Sequence, residues 1–330
     1  MSAMDDSLTF VLCIENTPIR AQALLLCESI RHFAGRHRAA PILAVAPRTG
    51  LGVDRATRAR LHALGVEYVE QPLNRVCPEY ASANRVFAAA WAERHAESEW
   101  IVVVDSDTVF LEEPELPPDA DVAVRPIDMK GSATEGPADP FEEYWRQLAE
   151  IRGVRLECLP FVHTTIGERR VRASYNGGLT VVRRETGILG AWADLFSRSI
   201  AAGLKPWRDS NLNIRASTGY VGQAASEYWG SNQAAAALAI WSTTRRVWLY
   251  PDTYNIPLHL LLDFPGVVAP RPSPLVHVHY HWLFTDAYYA SALAALRALG
   301  AAPDRLDWLT SRLPLATDGC VSPFMAADLS

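Results

Sequence analysis

Short β-branched runs alternating with helix-length stretches fill the first half of this chain, and that alternation restricts its fold more than any other feature. Leu8 to Ile14 (LTFVLCI), Pro41 to Ala46, Val66 to Glu70 and Trp100 to Val104 (WIVVV) have the length and residue types of strands. Between them, Ala21 to Phe33, Asp54 to Leu64 and Asn84 to His95 read as helices. Helical crossovers return the chain to begin each new strand in the same direction, so the expected sheet is mostly parallel. Strands apolar on both sides need helices over both faces.

The second half is less regular. Asp121 to Val124 is a further strand, after which residues 126–175 read as a long excursion with one helix over Pro140 to Ile151. Strands are expected at Gly178 to Val182, Arg246 to Tyr250 and Pro274 to His279. Helices are expected at Glu185 to Ala201, Asn232 to Trp241 and Thr285 to Leu299, followed by an irregular tail. No repeat and no linker-like stretch divides the chain. The expectation is one α/β domain in two halves, residues 1–125 and 126–330, which 330 residues can bury comfortably.

A net charge of -6 gives no basic surface for nucleic acid or an anionic membrane. No apolar run approaches the ~20 residues of a membrane span, and Met1 to Ser7 holds two aspartates rather than the basic start of a secretory signal. The 5 cysteines form no CxxC pair, which argues against a disulfide framework or structural zinc. A reducing, cytoplasmic setting is expected.

The chemistry concentrates at WIVVVDSDTVFLEEP, residues 100–114. A buried strand runs out into Asp105-Ser106-Asp107, and open parallel sheets bind ligands beyond the carboxyl ends of their strands. Two carboxylates one residue apart there can share a hard divalent ion, Mn²⁺ or Mg²⁺, with substrate phosphates. The plain alternative makes Asp105 a turn residue and Asp107 a solvated neighbour. The apolar residues on both sides of the motif favour the metal.

Five more segments offer candidates. The first strand ends at Ile14-Glu15-Asn16 with Arg20 beyond, where Asn16 and Pro18 could equally make a turn. Asn84-Arg85 opens a helix, either as an N-cap pair or as ligand contacts. SYNGGLTVVRRETGIL (174–189) places Asn176, Gly177 and Gly178 at a strand entrance, where glycine lets backbone approach a ligand. EYWGSNQAAAALAI (227–240) offers Glu227, Asn232 and Gln233 as polar candidates. Finally, PLVHVHYHWLF (274–284) puts His277, His279 and His281 at a period of two, on one face of an extended strand.

Together these segments resemble the GT-A fold glycosyltransferases that carry a DXD motif. Their motif order is closest to the retaining, glycogenin-like and galactosyltransferase-like enzymes. The resemblance implies a Rossmann-like, mostly parallel sheet and transfer of a sugar from a nucleotide diphosphate donor, UDP-sugars favoured, to a hydroxyl acceptor. The acceptor class spans small molecules, glycans and natural products.

By the same resemblance Asp107 and Asp105 coordinate the metal, with Asp105 also near the ribose, and a late-strand histidine completes the shell. His279 is favoured and His281 is the second candidate. Ile14, Asn16, Arg20, Asn84, Arg85, Asp105, Ser106, Asn176, Gly177 and Gly178 would line the donor. Asn232-Gln233 stands where those families carry Asp-Gln, so the catalytic candidates are Gln233, Asn232 and Glu227, and retention or inversion stays open. The alternatives are a nucleotidyltransferase and a catalytically silent nucleotide-sugar-binding protein. No GxGxxG follows the first strand and no P-loop or GxSxG is present.

Overall fold

A computed structural model describes residues 7–210, 212–217, 219–263, 274–285 and 287–316. Its strands are β1 (Leu8–Cys13), β2 (Ile42–Ala46), β3 (Glu67–Glu70), β4 (Trp100–Val104), β5 (Thr108–Phe110), β6 (Val122–Pro126), β7 (Phe161–His163), β8 (Arg170–Arg172), β9 (Tyr175–Arg183), β10 (Arg215–Ala216), β11 (Gly219–Tyr220), β12 (Val247–Leu249), β13 (Ile256–Pro257) and β14 (His277–His279). Its α-helices are α1 (Ile19–Phe33), α2 (Arg55–Ala63), α3 (Asn84–His95), α4 (Glu142–Arg152), α5 (Ile188–Ala201), α6 (Gln223–Glu227), α7 (Ser231–Thr243), α8 (Leu258–Asp263), α9 (Tyr289–Ala298) and α10 (Pro303–Thr310).

The central sheet has 7 strands in the order β12-β6-β9-β4-β1-β2-β3. All run one way except β9, which is antiparallel to both β4 and β6. The expected mixed α/β architecture, a mostly parallel sheet between helices, is therefore present. The sheet crosses the expected boundary at residue 125, since β6, β9 and β12 lie on the same sheet as β1 to β4.

The all-apolar strands still sort their side chains by alternation. Ile101 and Val103 of β4 face a core shared with α3, α4, α5 and α7, whereas Trp100, Val102 and Val104 face the core under α1. A third core lies beneath β5, β13 and β14, filled by α8, α9 and α10.

Two features differ from the sequence expectation. The tail beyond residue 299 is not irregular throughout, because Pro303–Thr310 forms α10, with proline near its start and Leu306, Trp308 and Leu309 buried. The late strand is also shorter than Pro274 to His279 and belongs to a separate small sheet, β13-β14-β5. Among the described residues no helix is long and apolar enough to cross a membrane.

Candidate active site

The reversed strand and the small sheet together build the site. β9 runs against β4 with Leu179 opposite Val104, so the start of β9 lies beside the C-terminal end of β4. The ladder continues one step further, where the Asp105 N–H donates to the Gly178 carbonyl at 3.1 Å. Beyond the acidic motif β5 pairs antiparallel with β14, and Thr108 stands opposite His279. The Tyr280 N–H donates to the Asp107 carbonyl at 3.1 Å. Residues distant in sequence are thus fixed side by side through backbone.

Asp107, His279 and His281 converge, each offering a ligand atom within 4.8 Å of the others. The Asp107 carboxylate is 3.3 Å from Nε2 of His279 and 3.2 Å from Nδ1 of His281. The Ser217 hydroxyl also donates to it. Burial alone would raise the Asp107 carboxyl, but His279 and His281 more than offset this and hold it well below the usual carboxylate range. Burial disfavours charge on His279, yet Asp107 lifts that imidazole above its ordinary value. Burial and the adjacent His279 push His281 down.

The three alternating histidines do not share one role. Extended geometry ends at His279, and His281 has φ 54°, a left-handed backbone uncommon outside glycine. The ring centroids of His279 and His281 come to 3.9 Å, nearly parallel. His277 instead packs against Phe110, with ring centroids 4.6 Å apart.

Asp105 stands outside this cluster, its carboxylate ion-paired with the buried Arg85. Asp105 raises the Arg85 pKa in spite of burial. Both glycines are closely covered by neighbouring side chains. A Cβ at Gly177 would lie 2.2 Å from the Arg85 guanidinium carbon, and one at Gly178 would lie 2.2 Å from Oδ1 of Asn255. The Ser106 hydroxyl donates to the Cys13 carbonyl, tying the motif to the end of β1.

The other expected positions are placed as follows. Ile14 is fully buried. Asn16 accepts from Arg20 at 3.0 Å, and Arg20 pairs with Asp54 at 2.8 Å. Asn84 donates to Glu15 at 3.2 Å, within a buried group that includes the Glu15–Arg48 ion pair. Asn176 donates to Asp128 and accepts from the Gly178 N–H at 2.8 Å. Asn232 is buried, accepting from Tyr80 at 3.2 Å and donating to the Ser82 carbonyl at 2.8 Å. Glu227 is paired with Lys205 and accepts from the Asp209 N–H at 3.1 Å. Gln233 is half-buried at the start of α7.

Sequence reasoning missed Asp128, Asn255, Ser217 and His259. Asp128 is buried two residues beyond β6, its carboxyl pushed up to about 6 by burial. An apolar strand running into an aspartate was a readable signal there. Asn255 is buried with φ 46°, and neither polar atom of its side chain has a hydrogen-bond partner among the described residues. His259 lies 3.8 Å from His281, ring to ring.

The Rhodobacterales glycosyltransferase domain matches residues 10–210, which contain most of β1, all of β2 to β9, the acidic motif and both glycines. The chain belongs to this glycosyltransferase family. The enzyme class expected from the sequence, a glycosyltransferase, is borne out at the level of the family. No curated protein matches in sequence.

Among solved structures, this glycosyltransferase is similar to the WbbM bifunctional glycosyltransferase, with 14% identity and TM-score 0.49 over 95% of this chain and 53% of that one. It thus spans about half the length of WbbM. It is similar to mouse xyloside xylosyltransferase 1, with 12% identity and TM-score 0.43 over 84% and 97% of the two chains. It is also similar to the galactosyltransferase LgtC in complex with donor and acceptor sugar analogues, with 15% identity and TM-score 0.47 over 92% and 100%.

Proposed function

We propose that this glycosyltransferase moves a hexose from a nucleotide diphosphate sugar, a UDP-sugar in preference, to a hydroxyl acceptor, with retention and with a divalent cation at Asp107. The observation that carries this reading is the convergence of Asp107, His279 and His281 at the end of the strand that supplies Asp105. The set suits a cation. It joins one carboxylate to two imidazoles, and neither nitrogen of His279 makes an aligned hydrogen bond among the described residues. When bound, the cation supplies Lewis-acid stabilisation of charge growing on the leaving diphosphate.

The chain's own groups do the rest. Residues 1–125 form the donor half, where Ile14, Asn16, Arg20 and Asn84 take the nucleoside. Arg85 holds Asp105 toward the ribose and adds positive charge beside the diphosphate. The backbone at Gly177 and Gly178, with Asn176, borders the sugar. Ser106 serves by fixing the acidic turn against β1.

Residues 126–330 form the acceptor half, with the hydroxyl held on the other side of the anomeric carbon. The commitments of the polar groups at α6 and α7 support retention. Glu227 is neutralised by Lys205, and Asn232 is locked to Tyr80 and Ser82. Gln233 is then the side chain facing the sugar, and no strong base is required. Incubation with a panel of nucleotide sugars and a divalent salt tests this. Slow donor hydrolysis, abolished by EDTA, is expected. No turnover of any donor under any divalent ion would contradict it.

A further inference from the structure

The entrance to β9 is held from β6. The β6–β9 ladder shifts register between Val124 and Pro126, an irregularity of the kind that re-aims side chains beside functional sites. Beyond it the Ile127 N–H donates to the Ser174 carbonyl at 3.0 Å. The Ile127 and Asp128 carbonyls accept from the Thr165 and Ile166 N–H groups at 3.0 and 2.8 Å. The backbone that carries Asp128 is thus fixed from two sides, and its side chain reaches Asn176.

From there one chain of bonds runs to the acidic motif. Asn176 Nδ2 donates to Asp128, Asn176 Oδ1 accepts from the Gly178 N–H at 2.8 Å, and the Gly178 carbonyl accepts from the Asp105 N–H at 3.1 Å. An ionised carboxylate only accepts. Asp128 therefore decides which way the Asn176 amide faces, since a flipped amide would set oxygen against carboxylate and N–H against N–H. Asp128 and Asn176 are 7% and 6% exposed, and the second Asp128 oxygen has no hydrogen-bond partner among the described residues. A carboxyl buried with half its capacity unmet costs free energy, so stability alone favours an apolar residue there.

We propose, resting on the placement of the sugar beside Asn176 and Gly178 given above, that Asp128 is a positioning residue for sugar transfer, acting through Asn176 to fix the entrance of β9 against Asp105. Asp128→Ala removes the acceptor and frees the Asn176 amide to turn. On the best donor of the nucleotide-sugar panel, kcat is expected to fall about 10–100-fold. Affinity for the nucleoside diphosphate of that donor, measured by calorimetry, changes less than about threefold. Asp128→Asn keeps an acceptor oxygen for Asn176 and retains kcat within about fivefold. Because the two residues act as one unit, the double variant Asp128→Ala with Asn176→Ala is no slower than Asn176→Ala alone.

Unaltered kcat in folded Asp128→Ala overturns the positioning role. So do losses that multiply in the double variant, a parallel loss of nucleotide affinity, or Asp128→Asn as slow as Asp128→Ala. Unaltered kcat in folded Asn176→Ala overturns instead the placement of the sugar on which the role rests, as does turnover of no donor by the unaltered chain. Should Asp128→Ala fail to fold, the near-isosteric Asp128→Leu, which keeps the volume and removes the acceptor, replaces it under the same criteria.

Discussion

Gly178 lies so close to His279 that a Cβ at position 178 would stand 2.6 Å from the Nδ1 atom of the ring. On its other side it would meet the buried Asn255 side chain, so neither neighbour can swing into solvent. Gly178→Ala must therefore displace the Asn255 side chain, the His279 ring or both, and so disturb the contact between His279 and Asp107. We expect a stability loss of about 1–3 kcal/mol and a roughly 10–100-fold loss of metal affinity. Denaturant unfolding and calorimetry on the same preparation separate the two effects.

Arg85 and Gly177 form a second tight pair, and it predicts non-additivity. Arg85→Ala leaves Asp105 without its partner, and the two side chains are only 12% and 21% exposed. The expected cost is about 3 kcal/mol. Gly177→Ala alone collides with the guanidinium, whereas in the Arg85→Ala background that space is free. A double-mutant cycle by urea unfolding should give a coupling of about 1 kcal/mol or more, favouring the double variant over the sum of the singles.

The strands β1 to β4 could be read from sequence because each is an apolar run bounded by breakers and followed by helical spacing. The reversal of β9 could not, since a parallel and an antiparallel central strand carry the same apolar composition. The three-residue strands β5 and β14 are too short to leave a period, yet they set His279 opposite Thr108 and so build the site. Asp107 and His279 were legible as a strand-end acid and a late-strand histidine. The contacts of Ser217 and Asn255 arise from packing between segments far apart in the chain, which no local pattern records.

Glu227 is tied to Lys205 and to the Asp209 N–H. A general base typically contributes 10²–10⁴-fold. Glu227→Gln should lower sugar transfer by less than about tenfold, which steady-state kinetics on the best donor measures. A larger loss with unchanged folding would assign Glu227 the base of an inverting reaction.

Buried thiols make the fold sensitive to alkali. Burial pushes Cys27 up to about 12 from an ordinary 9.0. Above pH 9 the unfolded chain loses this proton while the folded chain keeps it, so stability falls as pH rises from 9 toward 12. Between pH 9 and 11 this one group removes about 2–3 kcal/mol. Cys27→Ala, although less stable at pH 8 through lost packing, should show a visibly flatter decline in urea midpoints across that window.

The central claim is that Asp107 anchors a divalent cation used in sugar transfer. Its most direct test measures donor hydrolysis by the unaltered chain and by Asp107→Ala, each with Co²⁺ or Mn²⁺ and each again after EDTA. The account predicts turnover only in the unaltered chain with metal, lost on chelation and restored by adding the ion back. Turnover by folded Asp107→Ala at the rate of the unaltered chain, or turnover indifferent to EDTA, would contradict it.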